Sequence, residues 1–270
     1  MSAARPPLDD CNWIKKLMSS NKSLAGRIAL VTGASRGIGK AVALALASEG
    51  AHVILTARTA GALETVDDEI RSMGGSATIM QLDLKKGDRV DAVGPTIFPR
   101  WGRLDILVAN AGVLGPLSPL SHVTSDSWDY VMGVNLEANW RLIRSLDPLM
   151  KLSDAGRAVF VTSGAATGRH AYWGPYAISK AALDALARSW AAELVNTNVR
   201  VNIINPGAVA TALRAKAFPG EKPETLPTPA MIAPAIVELC KPSTTSNGIT
   251  FDAREQLAEM GKTVPMADEA

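Results

Sequence analysis

One stretch, from Arg27 to Gly50, constrains the fold more than any other. A short apolar run, Ile28-Ala29-Leu30-Val31, passes directly into Thr32-Gly33-Ala34-Ser35-Arg36-Gly37-Ile38-Gly39. An Ala/Leu-rich segment from Lys40 to Glu49 follows and is closed by Gly50. A buried strand, a glycine turn and a helix in that order form the context in which backbone amides at a helix N-terminus meet a phosphate. The first glycine permits the tight turn, the middle one lets the backbone approach a pyrophosphate, and the last lets helix pack on strand. The spacing Gly-x-x-x-Gly-x-Gly differs from the Gly-x-Gly-x-x-Gly of many dinucleotide sites, and a plain tight turn is the alternative. Three glycines between strand and helix favour nucleotide binding.

The next strand, Ala51 to Ala57, ends where an acidic side chain would grip the ribose hydroxyls of NAD. Here that place is apolar and is followed by Arg58, while Arg36 lies inside the glycine loop. Each Arg alone reads as a solvated surface charge. Two guanidinium groups flanking the adenosine ribose suit a 2′-phosphate, so NADP(H) is favoured over NAD(H).

Beyond this unit the chain keeps alternating strand-like and helix-like segments, the pattern of a parallel sheet wrapped by helices. An amphipathic helix over 61–73 stops at Gly74-Gly75, and the strand Ala77 to Asp83 follows. Asp83 and Leu84 sit at its carboxyl end, where Asp83 can meet an adenine amino group or simply cap a helix. The helix from about Asp88 carries Pro95 and Pro99 and should kink or end early. The buried strand from Leu104 ends in Asn110-Ala111-Gly112, small enough to leave room for a flat ligand. Thr124 opens a helix with Trp128 and Val131 turned inward, running through Asn135 and Trp140 to Leu146 with Pro148 at its end. Asn135, polar within an apolar helix, is either a structural bridge or part of a site. A strand over Ala158 to Thr162 delivers Ser163. Further elements are a helix from Tyr176 to Leu194, a strand over Val199 to Ile204, a kinked helix around Met231 to Cys240 and a strand over Gly248 to Phe251. Residues 212–230, rich in proline, read as a lid. The sum is an α/β fold of about seven strands in a single domain.

Tyr176 and Lys180 lie four residues apart on one helical face, so an ammonium sits one turn from a phenol. A nearby cation favours the phenolate and pulls the phenol toward the range of a general acid/base. The spacing alone is common on surface helices.

Several classes of function fit poorly. The 270 residues carry a formal net charge of +2, with no dense basic patch interleaved with aromatics, so nucleic acid is not an expected partner. Two cysteines and three histidines are scattered without ligand spacing, so neither a metal site nor a disulfide frame is expected. No apolar run is long enough to span a membrane and no leader-like segment opens the chain, which together suggest a cytoplasmic protein. Residues 1–25 read as a polar N-terminal arm, 26–252 as the nucleotide-binding domain and 253–270 as a polar C-terminal tail. Met18, just before the patterned region, is a candidate native start.

Taken together, Thr32-Gly33-x-x-x-Gly37-x-Gly39, Asn110-Ala111-Gly112, Asn135, Ser163, Tyr176, Lys180, Pro206-Gly207 and Thr211 resemble the short-chain dehydrogenase/reductase family, including the 13-residue step from Ser163 to Tyr176. The resemblance spans about Leu24 to Asp252. It implies a Rossmann-type doubly wound sheet of order 3-2-1-4-5-6-7 and hydride transfer between NADP(H) and a carbonyl or secondary alcohol. Tyr176 would be the general acid/base, and Lys180 would lower the phenol pKa and hold the nicotinamide ribose. Ser163 would bond the substrate oxygen, and Asn135 would anchor a water that links Lys180 to solvent. The cofactor would contact Ser35 and Ile38 as well as the loop glycines, Asp83 and Leu84 at adenine, and Val209 and Thr211 near the carboxamide. Ala165, Tyr172 and Trp173 are expected at the substrate, a small molecule, and a homodimer or homotetramer is expected. The same residues would serve reduction of a 3-oxoacyl thioester, and a non-catalytic nucleotide sensor is the reading from another class. The chain departs from the family's pattern after its last strand, where Ala253-Arg254 replaces a glycine pair.

Overall fold

The apolar run at Ile28 becomes the central strand of a sheet because each of its residues, alternating between two faces, meets a helix layer. A computed structural model describes residues 22–263. In chain order the elements are β1 (Ile28–Thr32), α1 (Gly37–Ser48), β2 (His52–Ala57), α2 (Ala60–Ser72), β3 (Ser76–Gln81), α3 (Gly87–Asp91), α4 (Val93–Trp101) and β4 (Ile106–Ala109). There follow α5 (Ser125–Met132), a π-helical turn (Gly133–Glu137), α6 (Ala138–Lys151), β5 (Arg157–Val161), α7 (Gly174–Glu193) and β6 (Arg200–Asn205). The last are α8 (Ala212–Ala217), α9 (Pro229–Leu239), β7 (Thr250–Asp252) and α10 (Ala253–Glu259).

The sheet order is β3-β2-β1-β4-β5-β6-β7, with every pairing parallel. Leu30 pairs in register with Ile54 on one side and Leu107 on the other. Strands buried on both faces must be apolar throughout, which is why β1, β4 and β5 read as continuous hydrophobic runs. Val31, Leu55, Val108 and Val159 pack on one face with α1, α2, α9 and α10. Leu30, Ile54, Leu107 and Phe160 pack on the other with α4, α6 and α7. The strand order reverses between β1 and β4, and a crevice opens there at the carboxyl ends, where ligands of such sheets bind.

The architecture is the doubly wound sheet expected, with local differences. The helix expected from Asp88 is two helices broken at Ala92, ahead of both prolines, and Pro99 lies inside α4. Pro148 is inside α6, which continues to Lys151. Trp128 is 36% exposed while Val131 is fully buried, because α5 presents only a narrow face to the core. The polar tail expected from residue 253 begins instead with α10. Asp252 caps it by accepting from the Arg254 N–H at 2.8 Å, and Ala253 and Leu257, four apart, are fully buried against α9. Leu24, assigned to the N-terminal arm, is fully buried, and its N–H donates to the Glu49 carbonyl. Residues 1–21 of that arm, with the Met18 start, lie outside the described residues.

Candidate active site

The crevice is walled first by backbone. Gly33 and Gly37 hold φ of 67° and 57°, values that L side chains avoid. A Cβ on Gly39 would lie 2.3 Å from the Gly33 carbonyl oxygen and 2.4 Å from the Asn110 amide nitrogen, so only glycine lets α1 approach β1 and β4 this closely. The Asn110 side chain donates to the Thr32 carbonyl at 2.8 Å, and the Thr32 hydroxyl accepts the N–H groups of Asn110 and Ala111 at 3.0 Å. These bonds tie the glycine loop to the end of β4. The first turn of α1 has no side-chain cap and no acidic residue, which leaves its N–H groups for an anion.

Arg36 and Arg58 line the same cleft, and among the described residues neither is paired with a carboxylate. Asp83, beside Leu84, is the one carboxylate on its walls among the described residues, and its Oδ1 accepts the Lys85 N–H at 3.1 Å. The cleft encloses about 980 Å³. Among the described residues no group of His, Cys, Asp or Glu is arranged to hold a metal, and no helix is long and apolar enough to cross a membrane.

Beyond the glycine loop, β5 and α7 carry the polar side chains. Ser163, at the end of β5, accepts the Ala165 N–H at 3.2 Å, and its hydroxyl lies beside the Tyr176 phenol, whose ionised form it favours. Lys180, four residues after Tyr176 on α7, is 3% exposed and donates to the Val161 carbonyl at 2.7 Å. Its Nζ lies 5.9 Å from the centre of the Tyr176 ring. Burial pushes the Tyr176 phenol above its usual value, and the Ser163 hydrogen bond opposes this. The lowered phenol expected from the Tyr-Lys spacing is therefore not what this structure shows, because desolvation outweighs the Ser163 hydrogen bond. Burial brings Lys180 down to about 8, with Asp184 opposing. Near neutral pH Lys180 thus keeps its proton but can surrender it readily.

Asn135 sits in the π-helical turn and is fully buried. Its Oδ1 accepts from the Val113 N–H at 2.8 Å, and its Nδ2 donates to the Val113 carbonyl and the Ser179 hydroxyl, both at 2.9 Å. The side chain is thus a clamp between the segment after β4 and α7.

The walls of the one cleft carry every predicted site residue except Gly39, Asn135, Ala165 and Tyr172. Gly39 and Asn135 act from behind the wall, as described. Ala165 is buried against Tyr176 rather than facing the cleft. Tyr172 is 61% exposed with φ of 72° and does not line the cleft, whereas Trp173 does. The expectation for Ala165 and Tyr172 is corrected accordingly. Trp173 meets Tyr176 edge-on at 5.9 Å and Phe218 at 5.7 Å. Pro206, Gly207, Val209 and Thr211 line the same side, where the Thr211 hydroxyl caps α8 by accepting the Arg214 N–H at 3.2 Å. The sequence reading missed Leu114, Tyr130, Val134, Leu213 and Lys216, which also line the cleft. Only the reading of 212–230 as a segment over the site pointed toward the last two.

Comparison with known proteins agrees with this geometry. Residues 27–222 match the family model described as short chain dehydrogenase. The chain is 40% identical over 235 residues to the uncharacterized oxidoreductase YciK of Escherichia coli strain K12, covering 86% of this chain and 93% of the relative. A solved short chain dehydrogenase from Salmonella enterica serovar Typhi superposes with a TM-score of 0.83 at 40% identity, covering 87% of this chain and 98% of that one. One from Escherichia coli CFT073, complexed with NADPH, superposes with the same TM-score at 39% identity over 87% and 99% of the two chains.

Proposed function

We propose, from the premise that the chain belongs to the short-chain dehydrogenase family of oxidoreductases, that it transfers a hydride between NADP(H) and a carbonyl or secondary alcohol, with Tyr176 as general acid/base. The observation that carries this reading is the convergence on one cleft of a glycine cradle, two unpaired arginines and the Ser163, Tyr176 and Lys180 cluster. The cradle fits a dinucleotide: Gly33 and Gly37 hold positive φ, Gly39 admits no Cβ, and the uncapped α1 terminus suits a pyrophosphate. Arg36 and Arg58 fit a 2′-phosphate, and the NADPH in the E. coli CFT073 relative supports the same preference.

When bound there, the nicotinamide supplies or accepts the hydride. The protein's part is to handle the proton and the oxygen. Ser163 donates to the substrate oxygen and stabilises the charge that develops on it. Tyr176 gives that oxygen its proton in reduction and removes it in oxidation. A phenol raised by burial is a protonated acid at neutral pH, ready for the reductive direction. Lys180, brought down to about 8, can return a proton to the phenol. Trp173 walls the substrate side and excludes water. A cytoplasmic homodimer or homotetramer accompanies this reading, supported by the exposed Trp140 on α6 and Ile178 on α7.

The test is a panel of ketones, aldehydes and secondary alcohols followed by NADPH absorbance, with Tyr176→Phe as control. The expected outcome is turnover that falls by about 1,000-fold in the variant while NADPH still binds. Unchanged turnover in Tyr176→Phe, or tighter binding of NADH than NADPH, would overturn the reading.

A further inference from the structure

Beside the main cleft lies a second cavity of about 430 Å³. Leu114, Gly115, Tyr130 and Lys216 border both spaces. Arg36, Arg58 and Asp83 touch only the main cleft, so the side cavity adjoins its substrate end rather than its adenosine end. Pro116 and Leu117 continue the apolar lining contributed by Leu114, while Ser127 and Tyr130 add two hydroxyls.

The charge of this region is unbalanced. Arg214, on the same short helix as Lys216, is neutralised: Nε and Nη2 each donate to Glu221 at 2.6 Å, and the guanidinium lies 3.7 Å from the Phe218 ring centre. Among the described residues Lys216 has no carboxylate partner, and no Asp or Glu lines the side cavity. Lys85 Nζ lies 5.2 Å over the Tyr130 ring, adding positive charge behind it. An apolar wall, two hydroxyls and one unmatched ammonium complement an anionic group carried on an apolar arm. One ammonium with two hydroxyls matches a singly charged carboxylate better than a doubly charged phosphate.

We propose that the enzyme selects carbonyl substrates bearing a carboxylate on an apolar arm, that the side cavity receives this group, and that Lys216 is the residue that selects it. The proposal rests on the carbonyl-reductase reading above. Lys216 is exposed at the rim, so the discrimination it confers is modest, about three- to tenfold.

The experiment measures kcat/KM with NADPH for 4-oxopentanoate, 6-oxoheptanoate and 9-oxodecanoate, each against its N-methylamide. The acid should exceed its amide about fivefold for at least one chain length, through KM rather than kcat. Lys216→Ala should bring that ratio to about one, and Lys216→Glu should invert it. No acid preference at any length, or a preference retained in Lys216→Ala, overturns the proposal. If neither acids nor amides nor any other carbonyl is reduced, the reductase reading itself fails. The subsite is then judged by calorimetric titration of decanoate and decanamide into the protein with NADPH present. Tighter binding of decanoate that is lost in Lys216→Ala supports the subsite, and equal binding of the two overturns it.

Discussion

The two ends of the cleft are built from different materials. At the cofactor end the walls are backbone: Gly33 and Gly37 at positive φ, Gly39 with no space for a Cβ, an uncapped helix terminus, and Thr32 and Asn110 locking loop to strand. At the substrate end the walls are side chains on short elements: Trp173 against Phe218, Arg214 paired to Glu221, and Lys216 on the six-residue α8. Backbone walls fix one ligand shape and tolerate little change. Side-chain walls can be exchanged one at a time, so α8 and the segment that leads to Trp173 are where a single substitution can reshape the cleft.

This contrast can be broken or sharpened by three changes. The largest effect is expected from Gly39→Ala, whose Cβ has no space against the Gly33 carbonyl. It should lower stability by about 1–3 kcal/mol and weaken NADPH binding by roughly 100-fold. Fluorescence titration and thermal melting check both, and a near-normal affinity would show that the cradle yields. Phe218→Ala should act at the other end only, raising substrate KM about fivefold while NADPH affinity stays within about twofold. Equal damage to both would mean that the two ends are not separable. The smallest effect lies where they meet. Lys180 is held near 8, below its ordinary 10.5, so the unfolded chain binds its proton more tightly between those values. Its burial therefore destabilises the fold below about pH 8, and this cost disappears as pH rises toward 10.5. Lys180→Met should be inactive yet more stable than the parent at pH 7, by on the order of 1 kcal/mol after loss of the Val161 bond. Denaturant melts from pH 7 to 10 should show that margin closing, and a margin that grows with pH would refute the assignment.

The same contrast explains what could be read from the chain alone. The glycine loop was legible because its requirements are local: positive φ and close approach write themselves as Gly33, Gly37 and Gly39. The strands were legible because burial on both faces demands unbroken apolar runs. Tyr172 and Trp173 could not be told apart, since which of two adjacent rings lines the cleft depends on the packing of Trp173 against Tyr176 and Phe218. Trp128 was expected inside because it is apolar, but α5 has little core to meet. The C-terminal helix was hidden by its charges, with only Ala253 and Leu257 marking its buried stripe. The position of Tyr176 on the pH scale depends on burial in three dimensions, which spacing along a helix does not encode.

The π-helical turn at Gly133–Glu137 carries a consequence of its own. A π turn holds one more residue than the α-helical path it replaces, and each residue of an α-helix advances the azimuth by about 100°. The extra residue therefore works as a phase shifter between α5, which aims Tyr130 at the substrate end, and α6, which aims Leu142 and Leu146 at the sheet. Removing a single residue there would rewind the two helices into one azimuthal frame. Either the cleft or the core would then keep its side chains, but not both.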